Sequence, residues 1–429
     1  AVADLLSDLG DYRDAAAQAA DNASASPIGP EHGAGPDDPD VASSQHRWRQ
    51  ARRHLNQHRA SLAQIASRLY RSDIRLDVPL LAPPAWLPPE PVPLQDITLA
   101  WDDHPPPVTL GGTEPEAQLT CPLQTPRFAF RSYTSAVRYV DPPALFENRP
   151  SYRLLDLNWQ HRAATMTFGL ATYFDKLDIS EALGHELAVA VGPDGSTQPT
   201  WSDLPFRRTI GGDPFDLSER AVIPAITTLT LIEDQTTGHV GFILHWRDPA
   251  RVATAGGQYD VIPAGEFQPS SVIPQAQAND LDLWRNIVRE YSEELCGTTE
   301  HDGSSGQPVD YDRWPFYRAM NHARATGRLR TYCLGAGLDA LTLAATIPTV
   351  MVIDQDAFTE IFGDIVRINA EGTIVTSLDS TRSTRSTRGI PFTESHVQRF
   401  LTSEPTAPPG AACLALAWEH RHHLLGTST

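Results

Sequence analysis

Two kinds of hydrophobic periodicity divide the chain near residue 224. Before that point the strongest pattern is helical, because apolar residues recur near one stripe of the basic segment RWRQARRHLNQHRASLAQIASRLYRS. The stripe contains Trp48, Leu55, Leu62, Ile65 and Leu69. This spacing predicts one long basic amphipathic helix that docks or dimerises through its apolar face.

The chain ahead of this helix has a different texture. Residues 2–20 show helical spacing, whereas DNASASPIGPEHGAGPDDPDVASS is rich in acidic residues and turn formers and contains almost nothing to bury. We therefore expect residues 1–80 to form a helical arm with a disordered linker near residues 21–45.

A mixed region is expected over residues 81–224, after a proline-rich connection. TMTFGLATYF predicts a strand, and DISEALGHELAVAV predicts a helix that Asp178 opens. The helix carries Glu181, His185 and Glu186. The zinc signature HExxH is absent because position 189 is valine, so we interpret this trio as a polar helix face.

From residue 226 the pattern becomes that of strands. AITTLTLIED, HVGFILHW and GGQYDVIPAG are rich in β-branched and aromatic residues, a helix follows, and RLRTYCLG and TIPTVMVID come after it. Strands, helix and strands in this order predict an α+β fold. We expect a domain over residues 225–400 and a separate C-terminal segment over residues 401–429.

Composition narrows the possible partners. A formal charge of -19 repels nucleic acid and anionic membranes, although a bound cation can invert the local potential at one site. The N-terminus has no basic and apolar leader, no apolar run reaches membrane-spanning length, and the four cysteines are widely spaced. We expect a cytoplasmic protein with reduced thiols that does not bind membranes.

Two segments have features of DNA-binding elements, but the sequence disfavours DNA binding by either of them. SLAQIASRLY is similar to the first helix of a helix-turn-helix, but the chain then enters IRLDVPLLAPPAWLPPEPVP, so no glycine-containing turn and second recognition helix follow. The run STRSTRSTR at residues 380–388 is interpreted as a solvated loop.

The segment DLDLWRNIVREYSEELCG predicts a helix with two distinct faces. Its apolar stripe is formed by Trp284, Ile287, Val288, Tyr291 and Leu295. Glu290, Glu293 and Glu294 crowd a separate arc, where their mutual repulsion calls for cations. Hard oxygen ligands of this kind suit Mg²⁺ or Mn²⁺ together with substrate phosphates. The plain alternative is a helix whose glutamates are solvated and paired with Arg285 and Arg289.

These residues resemble the Nudix box, in which a glycine-bearing strand and loop precede a helix that reads R-E-hydrophobic-x-E-E and ends near a glycine. Gly256, Gly257, Pro263 and Gly265 lie upstream, Arg289 to Glu294 match the helix, and Gly297 follows. The resemblance covers about residues 222–375. It implies an α/β/α sandwich with a mixed sheet and metal-dependent hydrolysis of a diphosphate linkage in a nucleoside diphosphate derivative.

The same resemblance implies roles for single residues. Glu290, Glu293 and Glu294 would coordinate Mg²⁺ or Mn²⁺, Arg289 would orient a carboxylate, and Gly265 and Arg285 would contact the substrate. The interval from Gly265 to Arg289 is roughly ten residues longer than the family pattern. No glutamate stands in its middle, where Asp280 and Asp282 are the nearest acids, and two residues instead of one precede Gly297. These departures point to a remodelled loop.

The general base stays unassigned at this point. Glu300, His301, Asp302, Asp310 and Asp312 are the acids and the histidine available in the loop after the helix.

Two rival functions and one partner remain open. CLGAGLDALT followed by TVMVIDQD resembles the cofactor loop of S-adenosylmethionine-dependent methyltransferases, in which Gly335 and Gly337 would approach the cofactor and Asp354 would bind its ribose. A non-catalytic Nudix-like sensor would instead bind a nucleotide without turnover. The flanking regions make a homodimer a candidate assembly.

Overall fold

The structure is a computed structural model that describes residues 38–143, 146–160, 163–195, 197–210, 213–247, 257–298, 308–363, 372–376 and 389–426. The predictions for residues 2–20 and 380–388, most of the predicted linker, and Gly256, Glu300, His301 and Asp302 lie outside these residues. Helices and strand sheets are both extensive, so the fold belongs to the α+β class.

The helices of the described residues are α1 Pro39–Gln57, α2 Arg59–Ser67, α3 Pro115–Gln118, α4 Tyr133–Val140, α5 Tyr173–Val191, α6 Pro205–Thr209, α7 Pro274–Asn279, α8 Leu283–Glu294, α9 Pro315–Ala325, α10 Gln355–Phe362, α11 Glu394–Thr402, α12 Pro408–Glu419 and α13 Arg421–Leu425. The strands are β1 Leu80–Leu81, β2 Val92–Pro93, β3 Ile97–Trp101, β4 Leu123–Thr125, β5 Phe128–Ala129, β6 Pro150–Gln160, β7 Ala163–Thr172, β8 Pro224–Asp234, β9 His239–Phe242, β10 Leu244–Arg247, β11 Gln258–Val261, β12 Ala264–Glu266, β13 Leu329–Cys333, β14 Gly337–Asp339, β15 Ala345–Asp354, β16 Gly372–Val375 and β17 Ile390–Pro391.

The predicted single basic helix is two helices, α1 and α2, which meet at His58. The backbone of His58 has φ -122° and ψ 21°, outside the helical region. Helix α1 also begins earlier than predicted, so the linker prediction is wrong for residues 39–45. Asp38 caps that end by accepting the backbone N–H groups of Asp40 and Val41, and proline at the first position suits a helix start.

The sequence predicts that helix α5 begins at Asp178, but in the structure it begins at Tyr173. Thr172 and Asp175 form its capping box, in which the Asp175 carboxylate accepts the Thr172 backbone N–H at 2.8 Å. The preceding strand β7 confirms the strand predicted from TMTFGLATYF. The strand prediction held because its alternating pattern is local, whereas the helix start depends on a cap with no apolar signal.

In the described residues, the largest sheet is nine-stranded and mixed. Its centre is the pair β8 and β15, which run parallel from Pro224 opposite Ala345 to Glu233 opposite Asp354. Strands β9 and β12 pair antiparallel with β8, and β13 and β14 pair antiparallel with β15. The mixed sheet predicted for the C-terminal domain is therefore present.

Helices cover both faces of the β8–β15 pair. Ile232, Met351 and Ile353 join the apolar cluster that includes α8, α9 and α10. Leu229, Leu231, Val350 and Val352 point the other way, into a cluster with α11 and α12. The C-terminal segment is thus not separate, because its helices form the second covering layer of the sheet.

HVGFILHW, predicted as one strand, is divided at Ile243 into β9 and β10. Strand β9 stays in the large sheet, whereas β10 lies between β11 and β16 in a separate three-stranded sheet. A strand run shows only which residues favour extended backbone, so it cannot reveal which sheet each half joins.

Helix α8 confirms the predicted apolar stripe. Trp284, Ile287, Val288, Tyr291 and Leu295 are all at least 96% buried. The Tyr291 hydroxyl makes a 2.6 Å hydrogen bond with Thr230 on β8, which ties the helix to the centre of the sheet.

One apolar cluster extends across the expected boundaries at residues 80 and 224. It contains Trp48 and Leu62 of the arm, Phe168 of the middle region, and Ile287 and Ile353 of the C-terminal part. The helices of the arm pack on α5. Among the described helices, none is long and apolar enough to cross a bilayer.

Candidate functional site

Helix α8 and strand β12 line a cleft of about 460 Å³, which we call the glutamate cleft. Its other walls come from α5, from the β10–β11 pair, and from the start of α12. The volume lies within the range of small-molecule sites, which is roughly 300–1,000 Å³. Of the predicted site residues, the cleft brings together Gly265, Glu290 and Glu293.

Larger cavities exist elsewhere and contain none of these residues. One of about 700 Å³ is lined by Tyr70, Trp201 and Phe215, and another of about 580 Å³ lies against α9 and β13. Size alone therefore does not select the glutamate cleft. Its carboxylates and cationic side chains do.

Gly265 and Glu290 are in direct contact across the cleft wall. A Cβ built on Gly265 would overlap the Glu290 carboxylate, which occupies that volume. Strand β12 places Gly265 opposite Ile226 of β8, and α8 packs against both strands. The glycine thus lets the carboxylate rest against the backbone.

Glu294, unlike Glu290 and Glu293, is outside the lining of the cleft. Its Oε1 accepts the backbone N–H of Ala264 at 2.8 Å, and its Oε2 lies 3.7 Å from Nδ1 of His245. The side chain is buried and does not line the cleft. The residue therefore joins α8 to β12.

Arg289 and Arg285 do not share the cleft-facing side of α8 with Glu290 and Glu293. Arg289 is buried and donates to the backbone oxygen of Gln268 at 2.6 Å and to Asn286 at 2.9 Å. Arg285 donates to Asn279 and stacks on the Tyr311 ring, with its guanidinium carbon 4.6 Å from the ring centroid. Neither side chain lines the cleft.

The long loop between Gly265 and α8 is organised by Asp280. This carboxylate is fully buried and accepts the Ser270 backbone N–H at 2.7 Å, the Ser270 hydroxyl at 2.5 Å and the Tyr311 hydroxyl at 2.8 Å. Arg289 lies 4.0 Å away. The neighbouring Asp282 caps α8 by accepting the Arg285 N–H at 3.0 Å. The two acids noted in the sequence thus fold the loop and start the helix.

Ion pairs in the cleft were not predicted from the sequence. Lys176 of α5 lies 2.7 Å from both carboxylate oxygens of Glu266, the residue after Gly265. Burial raises the pKa of Glu266, and the Lys176 ammonium opposes that rise. No local pattern signals this pair, because its members are 90 residues apart in the chain.

The Glu181, His185 and Glu186 face of α5 is polar but buried. Burial raises the pKa of Glu181, yet Arg59 at 2.6 Å and Arg52 at 3.7 Å outweigh it, so the pKa is lowered. Glu186 accepts the backbone N–H groups of Phe206 and Arg207 at 2.6 and 2.9 Å. His185 Nδ1 makes a 3.2 Å hydrogen bond with the Tyr133 hydroxyl, so all three side chains hold α5 to its neighbours.

The fit of a divalent cation rests on two carboxylates. Within the described ranges, no group of three or more His, Cys, Asp or Glu side chains is arranged to hold a metal ion. Glu290 and Glu293 both line the cleft, and Mg²⁺ is commonly held by one or two carboxylates with water and substrate phosphates completing its shell. The donor set thus fits a cation that binds together with a phosphate ligand.

The glycines of CLGAGLDALT are packed against other parts of the chain. A Cβ on Gly335 would overlap the backbone oxygen of Trp86, and one on Gly337 would overlap Leu80. Asp354 caps α10 by accepting the N–H groups of Asp356 and Ala357 at 3.1 Å each. These contacts occupy the surfaces that a cofactor would need.

Asp310 and Asp312, the described candidates for a base after α8, are outside the cleft. Asp310 instead accepts the Arg313 N–H at 3.1 Å.

No protein-family model matches the chain, and no curated protein sequence matches it.

Proposed function

We propose that this protein hydrolyses a diphosphate linkage in a nucleoside diphosphate derivative, with Mg²⁺ or Mn²⁺ bound at Glu290 and Glu293. The observation that carries the proposal is the meeting of Gly265, Glu290 and Glu293 at one cleft. These residues belong to the two halves of the Nudix-like pattern, the glycine strand and the R-E-x-x-E-E helix. We place the activity in the cytoplasm.

Charge in the cleft supports a phosphate ligand that arrives with a cation. Its walls carry acidic side chains beside the basic side chains of Arg149, Lys176 and Arg247. Acidic groups alone would repel a diphosphate, whereas a cation at Glu290 and Glu293 reverses the local potential. The arginines and the lysine then stabilise the outer phosphate oxygens.

Each protein group has a distinct task in this proposal. Glu290 and Glu293 would hold the cation, which would supply a lowered pKa for bound water and polarisation of the phosphorus. Glu294 holds β12 against α8 through Ala264. Asp280 and Arg289 hold the loop after Gly265 against helix α8.

Turnover measurements with matched glutamate variants test the proposal. Purified protein with Mg²⁺ or Mn²⁺ is incubated with nucleoside diphosphate sugars, nucleoside triphosphates and ADP, and product is followed by chromatography. We expect Glu290→Gln and Glu293→Gln each to lower kcat/KM by roughly 100-fold or more. Glu394→Gln, at an exposed position of α11, serves as control and keeps full activity.

A sensor that binds without turnover is the second candidate function. The position of Glu294 outside the cleft lining favours the sensor, because the resemblance implies that all three glutamates coordinate the metal. Ligand binding by the wild-type protein with no product from any substrate of the panel would support the sensor and contradict the hydrolase.

A further inference from the structure

Gln258 combines burial, lack of hydrogen bonds and a position on the cleft wall. It is 96% buried, and within the part of the chain that the structure describes neither Oε1 nor Nε2 has a hydrogen-bond partner. Most buried polar side chains are hydrogen-bonded, and leaving one unsatisfied costs on the order of 1–3 kcal/mol. A buried amide that is kept without partners calls for a ligand.

The surroundings of Gln258 suit one part of a nucleotide. Its neighbour across the β10–β11 ladder is Arg247, and both residues line the cleft. The arginine supplies positive charge for a phosphate. The amide supplies a donor and an acceptor side by side, which is the complement of a nucleobase edge.

We propose that Gln258 is a specificity-determining residue that pairs with the nucleobase of the bound nucleotide. This inference rests on the proposed function, since it assigns the base-recognition part of the same cleft. In this pairing the carboxamide oxygen accepts from an exocyclic amino group, while the carboxamide nitrogen donates to a ring nitrogen.

The first test measures binding of ADP, GDP and pyrophosphate by calorimetry, in Mg²⁺, to the full chain. In Gln258→Leu, loss of the bidentate pair is expected to weaken ADP binding by roughly 10- to 100-fold. Pyrophosphate, which has no base, is expected to bind within twofold of wild type. In Gln258→Glu, the carboxylate only accepts, so affinity shifts from ADP towards GDP, whose base presents two adjacent donors.

Thermal unfolding separates this role from a structural one. Because the amide has no partner in the described residues, replacing it with leucine removes an unsatisfied group and is expected to raise Tm by about 2 °C. A structural amide would show the opposite change. Lower Tm in Gln258→Leu, or unchanged ADP affinity in that variant, overturns the inference while leaving the hydrolase proposal standing.

The hydrolase proposal fails in a different way. If the wild-type chain binds neither ADP nor pyrophosphate in Mg²⁺, no diphosphate site is present and both proposals are overturned.

Discussion

The carboxylate of Glu290 occupies the space in which a side chain at position 265 would begin. Gly265 has no unusual backbone angle, so its importance lies in the missing Cβ and not in conformational freedom. The contact joins a strand and a helix that are 25 residues apart in the sequence, and it sets where one of the two cleft carboxylates rests.

Replacing Gly265 with alanine tests this contact. The atoms that a new Cβ meets belong to the end of a flexible side chain, so the carboxylate is expected to move at small cost in stability. Misplacement of a catalytic group by about 1 Å lowers rates by roughly 100-fold. We expect that loss in kcat/KM with Tm within about 2 °C of wild type.

The control for this variant is Gly111→Ala. No atom lies within 4 Å of a Cβ at that exposed position. Equal loss of activity in both alanine variants would show that the Gly265 contact has no special part in the site.

Glu294 and Glu293 are expected to differ in what they contribute. Glu294→Ala leaves the part-buried Ala264 N–H without its acceptor and should lower the free energy of unfolding by about 1 kcal/mol. Glu293→Ala, at a half-buried position, should change it by less than about 0.5 kcal/mol and instead remove cation-dependent activity. Urea unfolding with parallel activity assays distinguishes them, and the reverse order would contradict the assigned roles.

Asp280 is expected to be the most sensitive residue of the long loop. Asp280→Ala removes the acceptor of the Ser270 and Tyr311 hydrogen bonds and leaves Arg289 without a nearby carboxylate. We expect a loss of about 3 kcal/mol in unfolding free energy. The exposed Asp312→Ala is the control, and a similar change in both would refute the anchoring role.

The lowered pKa of buried His185 is expected to reduce the free energy of unfolding in acid. Burial and the nearby charge of Arg52 lower its pKa to about 3, with Glu181 opposing the shift, whereas the unfolded chain binds a proton near pH 6.5. The unfolded state therefore takes up more protons as the pH falls below 6.5, and stability is lost between pH 6.5 and pH 3. The contribution is about 1.4 kcal/mol per pH unit in that window.

His185→Gln should reduce that slope, measured by urea unfolding between pH 4 and pH 6. The exposed His46→Gln, on α1, should keep the wild-type slope. An unchanged slope in His185→Gln would show that other groups cause the acid sensitivity.

Helices and strands with a clear apolar pattern could be predicted from the residues within each element. The stripe from Trp284 to Leu295 predicted the helix and its buried face, because a helix places residues three and four apart on one side. The run TIPTVMVID predicted the long strand β15, since buried parallel strands are apolar on both faces. These signals need no knowledge of the rest of the chain.

Contacts between residues that are far apart in the chain could not be predicted from the sequence. The spacing of Glu290, Glu293 and Glu294 placed three carboxylates on one arc, but only the packing of β12 decided that Glu294 binds the Ala264 N–H while the other two line the cleft. Similarly, the polar face of α5 became buried because Arg52 and Arg59 pack on it.

What the sequence determined by itself is the α+β class, the apolar face of α8 and the list of carboxylates available there, since each depends on residues within a few turns of one another. The tertiary structure alone decided which carboxylates share a cleft, that Lys176 meets Glu266 there, and that the Gln258 amide is buried beside them. The physical reason is that burial and contact depend on the relative placement of whole elements, which is set by the packing of the entire core.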